Sequence, residues 1–158
     1  DKILSQIKEA SSKIPILLSS NTSIGINLMN DLVSKMAENL NGFDIEIIET
    51  HHNKKVDSPS GTAKTLFNAI NQTLENKMNL INGREGNHKR DKNEIGIHSI
   101  RGGSVIGEHR VIFYGDDEAI EIKHSAMSKK IFVYGAIKAA KFLIGKKPNL
   151  YGMKDVLS

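Results

Sequence analysis

Hydrophobic positions along the chain follow two periods. Ile3, Leu4, Ile7 and Ala10 recur at helical spacing over residues 2–12, and Ile14-Pro15-Ile16-Leu17-Leu18 then reads as a short buried strand. After the polar turn Ser19-Ser20-Asn21-Thr22-Ser23, one helical face collects Ile24, Leu28, Met29, Leu32, Val33, Met36 and Leu40. Asn21 or Ser23 is its expected cap, and Asn41-Gly42 its stop. From Phe43 to Thr50 the period changes to two. Phe43, Ile45 and Ile47 fall on one face, and Asp44 and Glu46 on the other, which predicts a strand. Residues 51–62 carry no period and read as a loop. A helix follows, with Ala63, Leu66, Phe67, Ile70 and Leu74 on its buried side. Residues 75–93 are polar, contain Gly83 and Gly86, and predict a long mobile connection. Strand patterns then cover 94–100, 104–114 and 118–124. Arg101-Gly102-Gly103 and Gly115-Asp116-Asp117 separate them, which predicts an antiparallel meander. A last helix near 128–144 carries Ile131, Tyr134, Ile137 and Phe142, with Gly145 as its C-terminal stop.

This order predicts an α+β fold, with a mixed or antiparallel four-stranded sheet and helices on one face. The first strand and the last helix stand outside that run and are expected to belong to a neighbouring layer.

Composition narrows the function. The net charge of +4 comes mostly from scattered lysines and suits anionic small molecules better than nucleic acid. Aromatic residues make up 5% of the chain, and no aromatic pair stands beside a basic stripe, which argues further against RNA. The absence of cysteine excludes disulfides, thiolate ligands and cysteine nucleophiles, and fits a reducing cytosol. No apolar run approaches the ~18 residues of a membrane span. Asp1-Lys2-Ile3-Leu4 lacks the basic-then-apolar layout of a signal peptide.

The chemistry concentrates in residues 49–62. Ser60-Gly61-Thr62 opens a helix just after Pro59. Unpaired N–H groups there, reinforced by the helix dipole and the hydroxyls, suit a carboxylate or phosphate. An ordinary serine cap is the plainer meaning of the same tripeptide. Just upstream, His51, His52, Lys54 and Lys55 can neutralise an anion and exchange a proton with it. A solvated polar loop is the alternative. A metal site through His51 and His52 is disfavoured, because adjacent residues of an extended chain face opposite ways. Asp57, ahead of Ser58-Pro59, reads as a turn former. His98, His109 and His124 fall in strand patterns and read as packed or surface histidines, and His88 as solvated.

Glu49-Thr50-His51-His52-Asn53-Lys54-Lys55-Val56-Asp57-Ser58-Pro59-Ser60-Gly61-Thr62-Ala63 resembles the signature of dihydrodipicolinate reductases, E-x-H-H-x-x-K-x-D-A-P-S-G-T-A. Ser20 to Asn27 is similar to the hinge segment of that family, and Arg101 to His109 to its R-G-G-D-x-x-G-E-H hairpin. Gly135-Ala136 and the ending Tyr151 to Leu157 also fit. The resemblance implies reduction of 4-hydroxy-tetrahydrodipicolinate to tetrahydrodipicolinate with NADH or NADPH, in lysine and diaminopimelate synthesis in the cytoplasm. It implies His51 as acid/base residue and Lys55 as proton donor. His52, Ser60, Gly61 and Thr62 would bind the dicarboxylate, and Ser19, Ser20, Asn21 and Thr22 would touch the nicotinamide end of the cofactor. No metal is implied, and neither nucleic acid nor membrane is a partner.

The resemblance also implies residues 21–128 as the substrate-binding and oligomerisation domain, associating through its sheet into a homotetramer. Residues 1–20 and 129–158 would be parts of an α/β dinucleotide-binding domain. Four positions depart from the pattern: Thr22 replaces a large apolar residue, Ser58 an alanine, Ser104 an aspartate and Lys129 an arginine. No G-x-G-x-x-G occurs in the chain, so it is expected to lack the cofactor-binding half and to reduce nothing alone. The alternative reading is a dicarboxylate-binding module without cofactor or activity.

Overall fold

The computed structural model describes residues 2–158, and Asp1 lies outside the described residues. The chain divides into two compact units. One holds the residues up to Leu28 together with Lys129–Ser158, and the other holds Met29–Ser128.

In the first unit, helix α1 (Lys2–Ser11) leads into strand β1 (Pro15–Leu17). Helix α2 (Ile24–Asn39) begins here and continues into the second unit. Ser23 caps it, its Oγ accepting from the Ile26 N–H at 3.3 Å, while Asn21 Oδ1 accepts from the Ser23 N–H. Near the end of the chain come helix α4 (Lys130–Leu143), strand β7 (Asn149–Tyr151) and helix α5 (Met153–Leu157). Strands β1 and β7 pair in parallel, Ile16 opposite Leu150. Ala139, Met153 and Val156 form a small core with Leu17 and Phe142.

The inward positions of α4 are Gly135 and Ala139. Tyr134 (62% exposed) and Ile137 (49%), two of the apolar positions that mark the helix in the sequence, face outward in the unit. The small residues are what allow close approach: a Cβ on Gly135 would lie 1.7 Å from the Thr22 carbonyl oxygen. The Thr22 hydroxyl donates to the Phe132 carbonyl at 2.8 Å in the same contact. Gly135→Ala is therefore expected to force α4 off the 19–23 segment and lower stability by about 1–3 kcal/mol, read as a reduced urea midpoint.

In the second unit, strands β2 (Asp44–His51), β3 (Asn79–Asn82), β4 (Glu94–Arg101), β5 (Glu108–Tyr114) and β6 (Ala119–Ser125) form one sheet in the order β3-β4-β2-β5-β6. Helix α3 (Gly61–Thr73) and the rest of α2 cover one face. The core joins Met29, Val33 and Ala37 of α2 to Ala63, Leu66, Phe67 and Ile70 of α3. From the sheet it takes Ile45, Ile47, Ile95, Ile97, Val111 and Phe113.

The α+β sheet with helices on one face is present, with two corrections. It has five strands, not four, because β3 lies in the stretch expected to be a mobile connection. That stretch is tied down by ion pairs: Arg84 reaches Glu46 and Glu94, and Arg90 reaches Asp44 and Glu46. Nor do the last three strands form a meander. Strand β2 stands between β4 and β5, parallel to β4 and antiparallel to β5; only β5 and β6 form the expected hairpin. The reason is the crossover. Helix α3 carries the chain back across the sheet, so the next strands run parallel to β2, and β4 docks along one side of it.

Candidate active site

Residues opposite one another in the sheet form rows on its helix-covered face. The rows Ile95–Ile45–Phe113–Ile120 and Ile97–Ile47–Val111–Ile122 are apolar. The next row is polar: Ser99, Glu49, His109 and His124. Beyond it, Arg101 lies opposite His51 at the end of β2. The alternation that buries Ile45 and Ile47 therefore continues through Glu49 and His51, and His52 turns the other way.

Glu49 is wholly buried and sits at the centre of this arrangement. Arg101 donates two parallel hydrogen bonds to its carboxylate, Nη1 to Oε2 and Nη2 to Oε1, each at 2.8 Å. His51 Nδ1 lies 2.5 Å from Oε2, and the Ser60 N–H donates to Oε1 at 3.1 Å. Burial alone would raise the carboxyl pKa. The bonds from Arg101, His51 and the Ser60 backbone outweigh it and hold the group at about 2. Arg101 Nη2 also donates to the Asp57 carbonyl at 2.8 Å, tying the loop to the sheet.

The loop after β2 contains a cis Ser58–Pro59 bond and ends at Ser60, the cap of α3. Ser60 Oγ accepts from the Ala63 N–H at 3.2 Å and lies 3.1 Å from His109 Nε2. His109 is 4% exposed and its ring meets that of His51 edge-on, centroids 5.1 Å apart. Burial first, and then the charge of His51, push its pKa down to about 4. Lys55 closes a tight turn on the His52 carbonyl, and its Nζ sits 2.7 Å from Asp57 Oδ1. Gly61 is exposed, and a Cβ there would meet nothing within 4 Å.

Arg101-Gly102-Gly103 is not a hairpin turn, since β2 separates the strands it joins. It crosses the end of β2 instead, the Gly102 N–H donating to the His51 carbonyl and the Asn53 N–H to the Gly103 carbonyl. The loop thus fixes the backbone of His51 as Arg101 fixes its partner.

His51, Lys55 and Ser60 are linked through Glu49, Arg101 and Asp57, with His52, Gly61 and Thr62 next to them in sequence. Ser19, Ser20, Asn21 and Thr22 lie in the other unit, between β1 and α2. Ser19 Oγ donates to the Asn21 carbonyl at 2.8 Å, so the hydroxyl holds its own turn as the Thr22 hydroxyl holds α4. Among the described residues no group of three or more His, Asp or Glu is placed to hold a metal ion. No helix among them is long and apolar enough to cross a membrane. Glu49 and His109 are not assigned to the site by the sequence, and Arg101-Gly102-Gly103 reads there equally as a hairpin turn or a substrate contact. Extending the period-two pattern two residues past Ile47 would have placed Glu49 on the buried face, where an unpaired carboxylate demands a cation.

Fold and site together define an α+β domain in which a buried carboxylate couples an imidazole to the start of a helix. The chain belongs to the dihydrodipicolinate reductase family: the family model for the C-terminus of dihydrodipicolinate reductase matches residues 25–157. It is 69% identical over 158 residues to the 4-hydroxy-tetrahydrodipicolinate reductase of Brachyspira hyodysenteriae, covering all of this chain and 68% of that protein. It is 54% identical to the protein of that name from Caldanaerobacter subterraneus subsp. tengcongensis, covering 98% of this chain and 62% of the relative. The fold matches that of a dipicolinate-bound dihydrodipicolinate reductase from Paenisporosarcina sp. TG-14, with a TM-score of 0.77 at 24% identity. That match covers 100% of this chain and 61% of the solved one.

Proposed function

We propose that these residues form the substrate-binding and proton-donating part of a 4-hydroxy-tetrahydrodipicolinate reductase in lysine and diaminopimelate synthesis, acting in the cytoplasm. The observation that carries this reading is the Glu49 carboxylate, which holds the His51 ring and the Ser60 amide at the start of α3. A ligand carboxylate at Gly61 and Thr62 would meet the N-terminal end of a helix of 13 residues, where the helix dipole favours negative charge. The Lys55 ammonium would exchange the Asp57 carboxylate for one belonging to the substrate.

Bound NADH or NADPH would supply the hydride. The chain contains no Gly-rich turn for the pyrophosphate, so Ser19, Ser20, Asn21 and Thr22 would meet only the nicotinamide end of the cofactor. The part of this chain is to bind the dicarboxylate, stabilise the negative charge that develops on the ring, and deliver the proton from Lys55 with His51 as acid/base partner. The unit containing β1, β7 and α4 leaves Ile3, Val133, Tyr134, Ile137 and Ile144 exposed, and its parallel sheet has two strands. Parallel sheets are normally covered on both faces, which favours residues 1–20 and 129–158 as parts of a larger dinucleotide-binding domain. The outer face of the five-stranded sheet, with Ile100 and Tyr114 half exposed, is the surface for the expected homotetramer.

Calorimetric titration of this chain with dipicolinate tests the reading. Saturable binding is expected, weakened roughly 10–100-fold by Lys55→Ala. Gly61→Ala, whose Cβ meets nothing within 4 Å, should weaken binding without shifting the unfolding midpoint. Oxidation of NADH by this chain alone is expected to be undetectable. Absence of dipicolinate binding by the folded chain would overturn the proposal.

A further inference from the structure

We infer that Glu49 is a positioning residue: it fixes neutral His51 as the Nδ1–H tautomer, which makes Nε2 the nitrogen that exchanges a proton with the ligand. The inference rests on the proposed role of His51 as an acid/base residue and adds which atom acts and what orients it.

Each Glu49 oxygen is an acceptor already shared by two donors. Oε1 serves Arg101 Nη2 and the Ser60 N–H; Oε2 serves Arg101 Nη1 and His51 Nδ1. A carboxylate gripped by both arms of a guanidinium has no proton to give, so at 2.5 Å the hydrogen in the His51 contact must sit on Nδ1. Neutral histidine in water mostly carries its proton on Nε2, so the protein reverses the usual preference. Glu49 is 0% exposed, which prevents water or a ligand from competing for its oxygens. The ring cannot easily turn away, because His109 packs against it edge-on. A Cβ on Gly107 would lie 3.1 Å from His51 Nε2 and 3.9 Å from His109 Cε1, so the glycine keeps that nitrogen uncrowded.

The same geometry predicts the effect of Glu49→Gln. One oxygen becomes an NH2 group. Turned toward Ser60, it would oppose two fixed donors, the backbone N–H and Arg101. Turned toward His51, it opposes Arg101 alone, because the imidazole can move its proton to Nε2 and accept. The variant is therefore expected to switch the tautomer.

The test is a long-range ¹H–¹⁵N correlation spectrum of the ¹⁵N-labelled chain, above the pH range in which histidines titrate. His51 is assigned from the signals lost in His51→Gln. A pyrrole-like Nδ1 and a pyridine-like Nε2 in the wild type, exchanged in Glu49→Gln, is the expected result. A wild-type His51 protonated on Nε2 overturns the inference, as does a folded Glu49→Gln that keeps the wild-type pattern. Should Glu49→Gln not fold, the wild-type spectrum decides alone. Failure to bind dipicolinate would overturn the substrate reading and leave the tautomer as measured; an Nε2–H tautomer would overturn this inference and leave dipicolinate binding as measured.

Discussion

Lys55→Ala and His51→Gln, each placed in a complete reductase of the length of the relatives, are expected to lower kcat by about 10²–10⁴-fold. Lys55 is partly exposed, whereas His51 is buried against His109, so the unfolding midpoint of each variant is measured alongside its rate. Lys55 forms one ion pair with the half-exposed Asp57, and His51 contacts the rest of the site through its ring edge and Nδ1. Removing either leaves the hydride donor in place but takes away a source of the balancing proton. Lys55→Ala should also raise KM, since the ammonium is expected to meet a substrate carboxylate, whereas His51→Gln should act mainly on kcat. Steady-state rates from the absorbance of reduced nicotinamide separate the two. Unchanged kcat in both variants would remove this loop from the chemistry. A complete protein that binds dipicolinate but reduces nothing would instead be a dicarboxylate-binding module.

Arg101→Ala is expected to be the most destabilising single change at the site, costing about 3–5 kcal/mol, because it strands a fully buried carboxylate. That is a large share of the roughly 5–15 kcal/mol that holds an ordinary domain together. The same carboxylate governs acid stability. Glu49 titrates at about 2 in the fold, against an ordinary 4.5. Its contribution, on the order of 3 kcal/mol, is therefore complete above about 4.5 and is lost as pH falls through about 2. His109 adds an earlier stage. It stays neutral in the fold down to about 4, against an ordinary 6.5, so the unfolded chain takes up that proton first and stability falls between those values. Urea midpoints measured from neutral pH to pH 2 should decline in these two stages. In Arg101→Ala the lower stage should move to higher pH, since burial would then raise the Glu49 carboxyl against fewer hydrogen bonds. A midpoint independent of pH below neutrality would show that neither group is buried as described.

How much of this was legible beforehand depends on the range of the interaction concerned. Helix α2 could be read almost to its ends because its apolar stripe and its cap are properties of neighbouring residues. The same holds for β2, whose alternation needs only a pleat, and for the loop from His52 to Ser60, where proline and polar residues interrupt both periods. The family resemblance was equally local, because each segment that carries it, above all the run of fifteen residues that ends at Ala63, is read within itself. Strand neighbours were not legible. Alternation marks a strand but carries no information about which strand lies beside it, so the central place of β2 and the parallel docking of β4 came only with the fold. The short β3 was hidden because its four residues, Asn79–Asn82, are polar at both ends and pair along one side.

Sequence alone determined the kinds of group available at this site: an imidazole, an amine, a serine-capped helix, and no thiol. Tertiary structure decided which of them act together. Glu49 and Arg101 are 52 residues apart, and Ser60 and His109 are 49 apart. Each pair forms only because strands distant in sequence lie side by side and their ends meet at the start of α3. The physical reason is desolvation. A carboxylate in water needs no partner, and its place in the sequence names none; once the sheet and helices bury Glu49, the partners within reach set its charge, orient His51 and hold the start of α3.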